Sequence, residues 1–424
     1  MMRLVMACNG SRGDVQPAVA LGGELASRGH TITMLVPSDL VGFSAATGLP
    51  TEPYGGSTRE VLDSDLVRER MKSRDPRTRL RAVTELTVRD GRLMQQQLLD
   101  ATEGADAIIA GSAGQERAHN VAEVRRVPHV PLHLCPLRRN GSTSLLTHLG
   151  LDVPAPVARA SWSVAERILW WASRSAENAL RDDLGLDTVR APFAAQIAAT
   201  GVPEIQAYDA ALFPALTDEW GLARPLVGFF TLAPEHREGV GDRSITDVLP
   251  WIESGPAPVY VGFGSMIPAD ADRLAEVFCT AADELDIRLL VSGGWSDFMS
   301  GVTDDRIRVV GHVDHDTILP LCAAAVHHGG AGTVAAGLRA GIPTVVTWVG
   351  ADQPIWGAAI ARAGVGTSLP MSRVDRTRLV DALGSVAAEQ TRERARALSN
   401  DLVEPKRAVT AAAEVVERAV SRRR

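Results

Sequence analysis

Short apolar runs alternate along the chain with longer stretches in which apolar residues return every three or four positions. The runs fit strands buried on both faces of a parallel sheet, and the longer stretches fit the helices that cover them. Arg3 to Cys8 reads as a strand, Asn9 to Asp14 as a loop, and about Val15 to Arg28 as a helix whose first turn tolerates Pro17. Gly29 ends that helix and Thr31 to Val36 makes the next strand, which completes one βαβ unit. Ala107 to Ala110 and Val130 to Leu134 continue the pattern. From Trp220 to Gly241 it breaks into a turn-rich stretch holding Pro225, Gly228, Pro234, Gly239 and Gly241, with no helical or strand period. The alternation then restarts. Strands are predicted at Val259 to Phe263, Arg288 to Val291, Arg306 to Val310, Ala325 to His328 and Thr344 to Thr347, and helices at about Asp270 to Leu285, Asp316 to Ala323 and Thr333 to Ala340. The expected fold class is therefore α/β, with two Rossmann-like domains facing each other across a cleft. Residues 1–222 would form the first domain, 223–243 the linker and 244–424 the second. An alanine-rich helix from Thr410 to Ser421 carries Ala412, Val415, Val416 and Val420 at helix-face spacing and can pack on either domain.

A chain of 424 residues has room for two or three domains. Its 44 basic and 51 acidic residues give a net charge of −7, which excludes a nucleic-acid binder built on a dispersed positive face. Arg422 to Arg424 is the single basic run. Cys8, Cys135, Cys279 and Cys322 lie far apart with no CxxC pair, which fits reduced thiols in a cytoplasmic protein rather than a disulfide frame or a zinc site. Leu4 to Cys8 is too short for a signal-peptide core, and nowhere do about twenty apolar residues run uninterrupted. Lysine occurs only at Lys72 and Lys406, neither after glycine, so a Walker phosphate loop is ruled out and a lysine Schiff-base enzyme disfavoured. Trp162, Trp170 and Trp171 fall in a helical stretch from Trp162 to Leu180, with Trp162, Ala165, Leu169 and Ala172 on one face and Ile168 and Trp171 beside it. Such a face packs in a core, lines a pocket for a lipophilic acceptor, or lies on a membrane surface as a peripheral contact.

The chemistry concentrates in Val326 to Thr333, where an apolar strand runs into His327-His328-Gly329-Gly330-Ala331-Gly332-Thr333. A glycine-rich turn opening a helix at the carboxyl edge of a parallel sheet offers unpaired N–H groups and the positive end of the helix dipole, an anion site suited to a diphosphate. His328 can donate to a phosphate oxygen without permanent charge, and the Thr333 hydroxyl adds a neutral donor. The other reading is that the glycines only permit tight packing. Asp352 and Gln353 follow the next strand, so they open on the same edge and suit sugar hydroxyls, while Asp352 also fits as a helix N-cap before Pro354.

These residues carry a family resemblance. His327 to Thr333, Ala340-Gly341-Ile342-Pro343, Ala351-Asp352-Gln353-Pro354, and the opening Gly10-Ser11-Arg12-Gly13-Asp14-Val15-Gln16-Pro17 resemble the signatures of GT-B glycosyltransferases of family 1. Within that family the chain is most similar to the bacterial branch of glycopeptide-antibiotic, sterol and mycobacterial glycopeptidolipid glycosyltransferases. The resemblance implies a hexosyltransferase with a nucleotide-diphosphate sugar as co-substrate, no further cofactor and no metal, and transfer with inversion to a lipophilic acceptor such as a lipopeptide. It puts Ser265, His328, Gly329, Gly330, Gly332 and Thr333 on the donor phosphates and Asp352 with Gln353 on the sugar. His312, Val313 and His315 would clasp the nucleoside, and Gly10, Ser11, Arg12 and Gly13 would neighbour the phosphates. His312 replaces the stacking tryptophan of plant members and Ala336 their ribose-binding glutamate, so a dTDP-sugar and a UDP-sugar both remain open. His312 and His315 lack convergent further ligands for a metal.

Transfer to a hydroxyl needs a base, and Asp14, at the end of the first strand and facing the cleft, is the candidate. Its alternative role is helix capping, and bonds from helix N–H groups would weaken it as a base. His133, at another strand end, is a substitute base, an orienting partner, or a core histidine. A nicotinamide-dependent oxidoreductase is disfavoured because Gly10 and Gly13 alone do not make Gly-x-Gly-x-x-Gly. A nucleotide-sugar epimerase and an inactive sugar-nucleotide-binding scaffold are the competing classes.

Overall fold

The computed structural model describes residues 1–64, 70, 75–146, 151, 153–239, 248–264, 266, 270–294 and 298–422. Ser265, the last residues of the expected linker, Lys72 and Arg423 to Arg424 lie outside the described residues. The first sheet comprises β1 (Arg3–Ala7), β2 (Thr31–Val36), β3 (Thr51–Pro53), β4 (Ala107–Gly111), β5 (His129–His133) and β6 (Ile205–Gln206). The second comprises β7 (Val259–Gly262), β8 (Leu289–Ser292), β9 (Ile307–Val310), β10 (Ala324–His327), β11 (Thr344–Trp348) and β12 (Gly366–Pro370). Their orders are β3-β2-β1-β4-β5-β6 and β12-β11-β10-β7-β8-β9, and every pairing is parallel. In each sheet the winding reverses once, between β1 and β4 and between β7 and β10. Ligands of open α/β sheets bind outside the carboxyl ends of the strands at such a reversal. Sequence thereby fixes which two loops matter: the one after β1 and the turn after β10.

Alternation along β1 explains the layering. Leu4, Met6 and Cys8 pack with Val15, Val19 and Leu21 of the helix Arg12–Ser27, while Val5 and Ala7 point to the other face, against Tyr54, Met94 and Leu98. The final helix, Pro405–Ser421, returns to this first lobe and buries Ala408, Ala412, Ala413, Val416 and Val420 in the same cluster as β1. Arg28 and His30 reach Glu417 on it, at 3.1 and 3.0 Å.

A further core joins the two lobes. Trp356 of the second lobe is wholly buried among Tyr208, Phe213 and Phe229, with ring centroids 5.9, 5.6 and 5.8 Å away. Arg362 adds a 2.7 Å hydrogen bond to the Ser142 carbonyl.

Three local expectations are corrected. The first helix begins at Arg12 rather than near Val15, because Ser11 takes the extended conformation of an N-cap. The stretch read as aperiodic linker holds a helix, Pro234–Gly239, with proline in its first turn, where its missing N–H costs nothing. The helix expected from Asp316 to Ala323 is α only over His315–Ile318 and tightens to a 3-10 turn at Leu319–Leu321, where Pro320 removes a donor. Among the described residues no helix is long and apolar enough to cross a membrane.

Candidate active site

At the first reversal the loop after β1 is tied down before the helix begins. The Asn9 side-chain oxygen accepts from the Gly10 amide at 2.9 Å, and the Thr58 hydroxyl donates to the Gly10 carbonyl at 2.7 Å. Gly10 has φ +122°, and a Cβ there would lie 2.4 Å from Asp14 Oδ2, so both the turn and the carboxylate require glycine. Asp14 is the third residue of the helix, not the last of the strand. The Ser11 amide and hydroxyl both donate to its Oδ2, at 2.8 and 3.1 Å. Among the described residues no hydrogen bond engages Oδ1.

Capping thus engages one oxygen of the carboxylate, and the other carries no hydrogen bond among the described residues. Asp14 is reachable by solvent inside the crevice yet walled in by protein. That enclosure pushes its pKa up to about 6. The Ser11 bonds oppose the rise, and the negative charge of Asp352 in the other lobe adds to it.

At the second reversal, His327 is fully buried and its Nδ1 accepts from the Gly329 amide at 3.0 Å. Gly329 has φ +91°, and a Cβ would meet Val346 Cγ1 at 2.7 Å. A Cβ at Gly330 would lie 2.5 Å from Nε2 of His328. These two glycines are explained by packing alone. Gly332 is not: a Cβ there meets no atom of the described residues within 4 Å at the start of the helix Ala331–Arg339. Gly330 caps that helix without a side-chain bond, which leaves the first-turn amides aimed outward. Burial, and then the neighbouring His315, bring the His328 pKa down to about 4, so the ring is neutral at pH 7. Its Nδ1 is buried without a partner among the described residues.

Asp352 starts the helix Gln353–Ala363 and its Oδ2 accepts from the Trp356 indole at 2.9 Å, one turn along. The Cys135 thiol of the first lobe also bonds this carboxylate, and burial raises its pKa. Gln353 Oε1 accepts from the Val349 and Gly350 amides at 2.8 and 3.3 Å, which fixes the loop and leaves its NH2 group for a ligand.

Other sequence candidates fall elsewhere. His133 is fully buried, with Nδ1 3.5 Å from the Ser112 hydroxyl and Nε2 3.3 Å from Glu204 Oε2. Arg138 and Arg224 hold the same carboxylate at 2.6 and 2.7 Å, and the His133 pKa falls to about 4 by burial and then the Arg138 charge. The ring thus sits in ion-pair range of Glu204, and no hydrogen bond links it to Asp14 among the described residues. His315 turns its Nε2 to the Tyr260 hydroxyl at 2.8 Å, whereas His312 is exposed and Val313 half-buried at the end of β9. Arg12 lies over the Phe43 ring and bonds Gln16, while Gly13 is exposed beside the crevice. Among the described residues no group of three or more His, Cys, Asp and Glu gathers as a metal would require.

Sequence reasoning missed Thr58, Cys135 and Trp356. Trp356 had a signal, because i and i+4 share a helix face and place the indole against Asp352. Thr58 and Cys135 had none, since their contacts cross long stretches of chain.

Residues 284–421 match the family described as erythromycin biosynthesis protein CIII-like, C-terminal domain. Over its full length the chain is 38% identical to an uncharacterized glycosyltransferase of Mycobacterium bovis, the alignment covering 100% of both. It is 29% identical to a sterol 3-beta-glucosyltransferase of Arabidopsis thaliana over 94% of this chain and 62% of the plant protein. The crystal structure of the glycosyltransferase VinC in complex with dTDP shares the fold at a TM-score of 0.64 and 18% identity, covering 99% of this chain and 100% of that one. The two facing sheets with their reversals turned to one crevice are a GT-B enzyme fold. The chain belongs to the family 1 glycosyltransferases.

Proposed function

We propose that the protein is an inverting, metal-independent glycosyltransferase that moves a hexose from a dTDP- or UDP-sugar to a hydroxyl of a lipophilic acceptor. The observation that carries this reading is that Gln353, next to Asp352, packs against the glycine turn, a Cβ at Gly329 falling 3.3 Å from Gln353 Cβ, while Asp14 of the other lobe lies near enough to Asp352 for their charges to interact. Asp14 Oδ1 takes the acceptor proton as the oxygen attacks the anomeric carbon. Asp352 and the Gln353 NH2 group hold the sugar hydroxyls, and the diphosphate leaves on the opposite face, which inverts the centre. Its growing charge falls on the Gly330–Thr333 amides, the Thr333 hydroxyl and the neutral His328 ring, and the family resemblance assigns Ser265 to the same phosphates. VinC was crystallised with dTDP, and Ala336 is buried and apolar where the family resemblance sets a ribose contact, both of which favour a deoxyribose nucleotide. The acceptor class follows the sterol-directed relative and the resemblance to glycopeptidolipid enzymes, a sterol or antibiotic aglycone being further candidates. Four unpaired cysteines suit a cytoplasmic site of reaction.

A thermal-shift screen against UDP-, dTDP- and GDP-sugars tests donor class, since a ligand bound only to the folded state raises the melting temperature in step with its affinity. Inversion requires an acceptor product of opposite anomeric configuration by NMR; a retained centre, or epimerised donor formed without acceptor, contradicts the reading. EDTA is expected to leave turnover unchanged.

Gly332→Ala sharpens the test. The methyl meets empty space and alanine favours a helix by up to about 1 kcal/mol, so the variant should melt no earlier than the parent. Its donor affinity should fall by about tenfold, roughly 1.4 kcal/mol. Parent-like affinity would remove the phosphates from this turn.

A further inference from the structure

The helix Ala155–Asp182 presents an apolar stripe to solvent on the side away from its own core contacts. Val157, Val164, Ile168 and Trp171 are 44%, 54%, 59% and 61% exposed. At 3.6 residues per turn they fall within an arc of about 60° and extend for about 21 Å. The buried residues Ala158, Trp162, Ala176 and Leu180 lie about 120° further round. Leu169, 66% exposed, lies at that same angle, so at mid-helix the apolar surface open to solvent is wider than the stripe. Soluble proteins seldom leave a contiguous apolar face with a tryptophan in water unless something covers it.

The charges beside the stripe identify the cover. Arg167 and Arg174 border it on the Trp171 side, and Arg190 is brought close because its carbonyl accepts from the Trp170 indole at 2.8 Å. All three are exposed, and none forms an ion pair among the described residues. Arg159, by contrast, pairs with Glu219 at 2.7 Å. From Val157 to Ser175 the one acidic residue is Glu166, about 180° from Val157 on the far side of the helix. An apolar stripe with tryptophan, edged by uncompensated arginines on a chain of net charge −7, suits a flat surface that is greasy inside and anionic outside. Screening confines the attraction to about 8 Å at physiological salt, so the local arginines outweigh the distant acidic residues.

We propose that this face docks the protein on an anionic lipid bilayer, with Val157, Val164, Ile168 and Trp171 in the acyl boundary and Arg167, Arg174 and Arg190 on headgroup phosphates. The surface lies opposite the side that packs on the first lobe, so the proposal holds whether or not the transfer reading does.

The test is co-sedimentation of the full chain with vesicles of phosphatidylcholine alone and of phosphatidylcholine with phosphatidylglycerol. Binding is expected only to the anionic vesicles and should weaken as salt rises. Replacing Ile168 and Trp171 together by Ser should lower partitioning at least about tenfold. Arg167→Gln with Arg174→Gln should lower it about fivefold per arginine and flatten the salt dependence. Both pairs are exposed, so melting temperatures should match the parent; if the serine pair misfolds, the glutamine pair decides. Equal binding to neutral vesicles, no binding to either, or variants that bind like the parent would overturn the proposal. So would a dimer in sedimentation velocity that the serine pair dissolves while vesicle binding is absent, since the cover would then be a second copy of this chain.

Discussion

Asp14→Asn is expected to lower turnover by about 10² to 10⁴-fold while the donor-induced thermal shift persists, as for loss of a general base. The asparagine oxygen still accepts from the Ser11 amide and hydroxyl, so the helix start is preserved and the loss is one of proton affinity. In the parent, enclosure and then the opposing effects of Ser11 and Asp352 set the Asp14 pKa near 6. In the proposed role the ionised form is the base, so kcat/KM should be full well above pH 6 and fall as pH drops through it. The variant should lack that acid limb. Stability runs the other way. The folded pKa is raised above the ordinary 3.8, so the contribution of this carboxyl is fully present below 3.8 and lost as pH rises through about 6. The variant should therefore melt at or above the parent temperature at neutral pH. Unchanged turnover, or an acid limb surviving in the variant, would exclude Asp14 as the base.

Why Asp14 was ambiguous from sequence alone, and is less so in the fold, is instructive. Its two readings conflict if a carboxylate is treated as one acceptor, but Ser11 occupies Oδ2 and no hydrogen bond engages Oδ1 among the described residues. Periodicity cannot reveal that division. It does reveal strands such as β2, whose bounds match the apolar run from Thr31 to Val36, because a buried parallel strand must be apolar on both faces. The two-residue β6 and the half-buried edge strand β12 carry too little of that signal. Gly329, Gly330 and Gly332 look alike in sequence, yet the first two answer to Val346 and His328 while the third meets nothing among the described residues. His133 is a candidate by its strand end and His315 by the family resemblance, and neither says which way a ring turns. Partners at Glu204 and Tyr260, far off in sequence, decided both.

Trp356→Ala is expected to destabilise the protein by about 3 to 5 kcal/mol, the range for emptying a buried tryptophan site. The indole packs among Tyr208, Phe213 and Phe229, which precede the second sheet in the chain, so its removal loosens one lobe from the other. It also releases Asp352, whose Oδ2 takes the indole hydrogen bond at 2.9 Å. Trp356→Phe separates these effects, since it keeps most of the packing and loses the donor. A hydrogen bond to a charged group contributes about 1.5 to 3 kcal/mol. Stability should therefore fall less in the Phe variant than in the Ala variant. With Asp352 on the sugar, as proposed, affinity for the nucleotide sugar should drop while affinity for the nucleoside diphosphate alone stays near the parent value. Calorimetric titration of both ligands into the Phe variant measures the split. Parent-like binding of the nucleotide sugar would mean that Asp352 needs no help from Trp356, and an equal loss for both ligands would place the effect on the closure of the lobes rather than on the sugar.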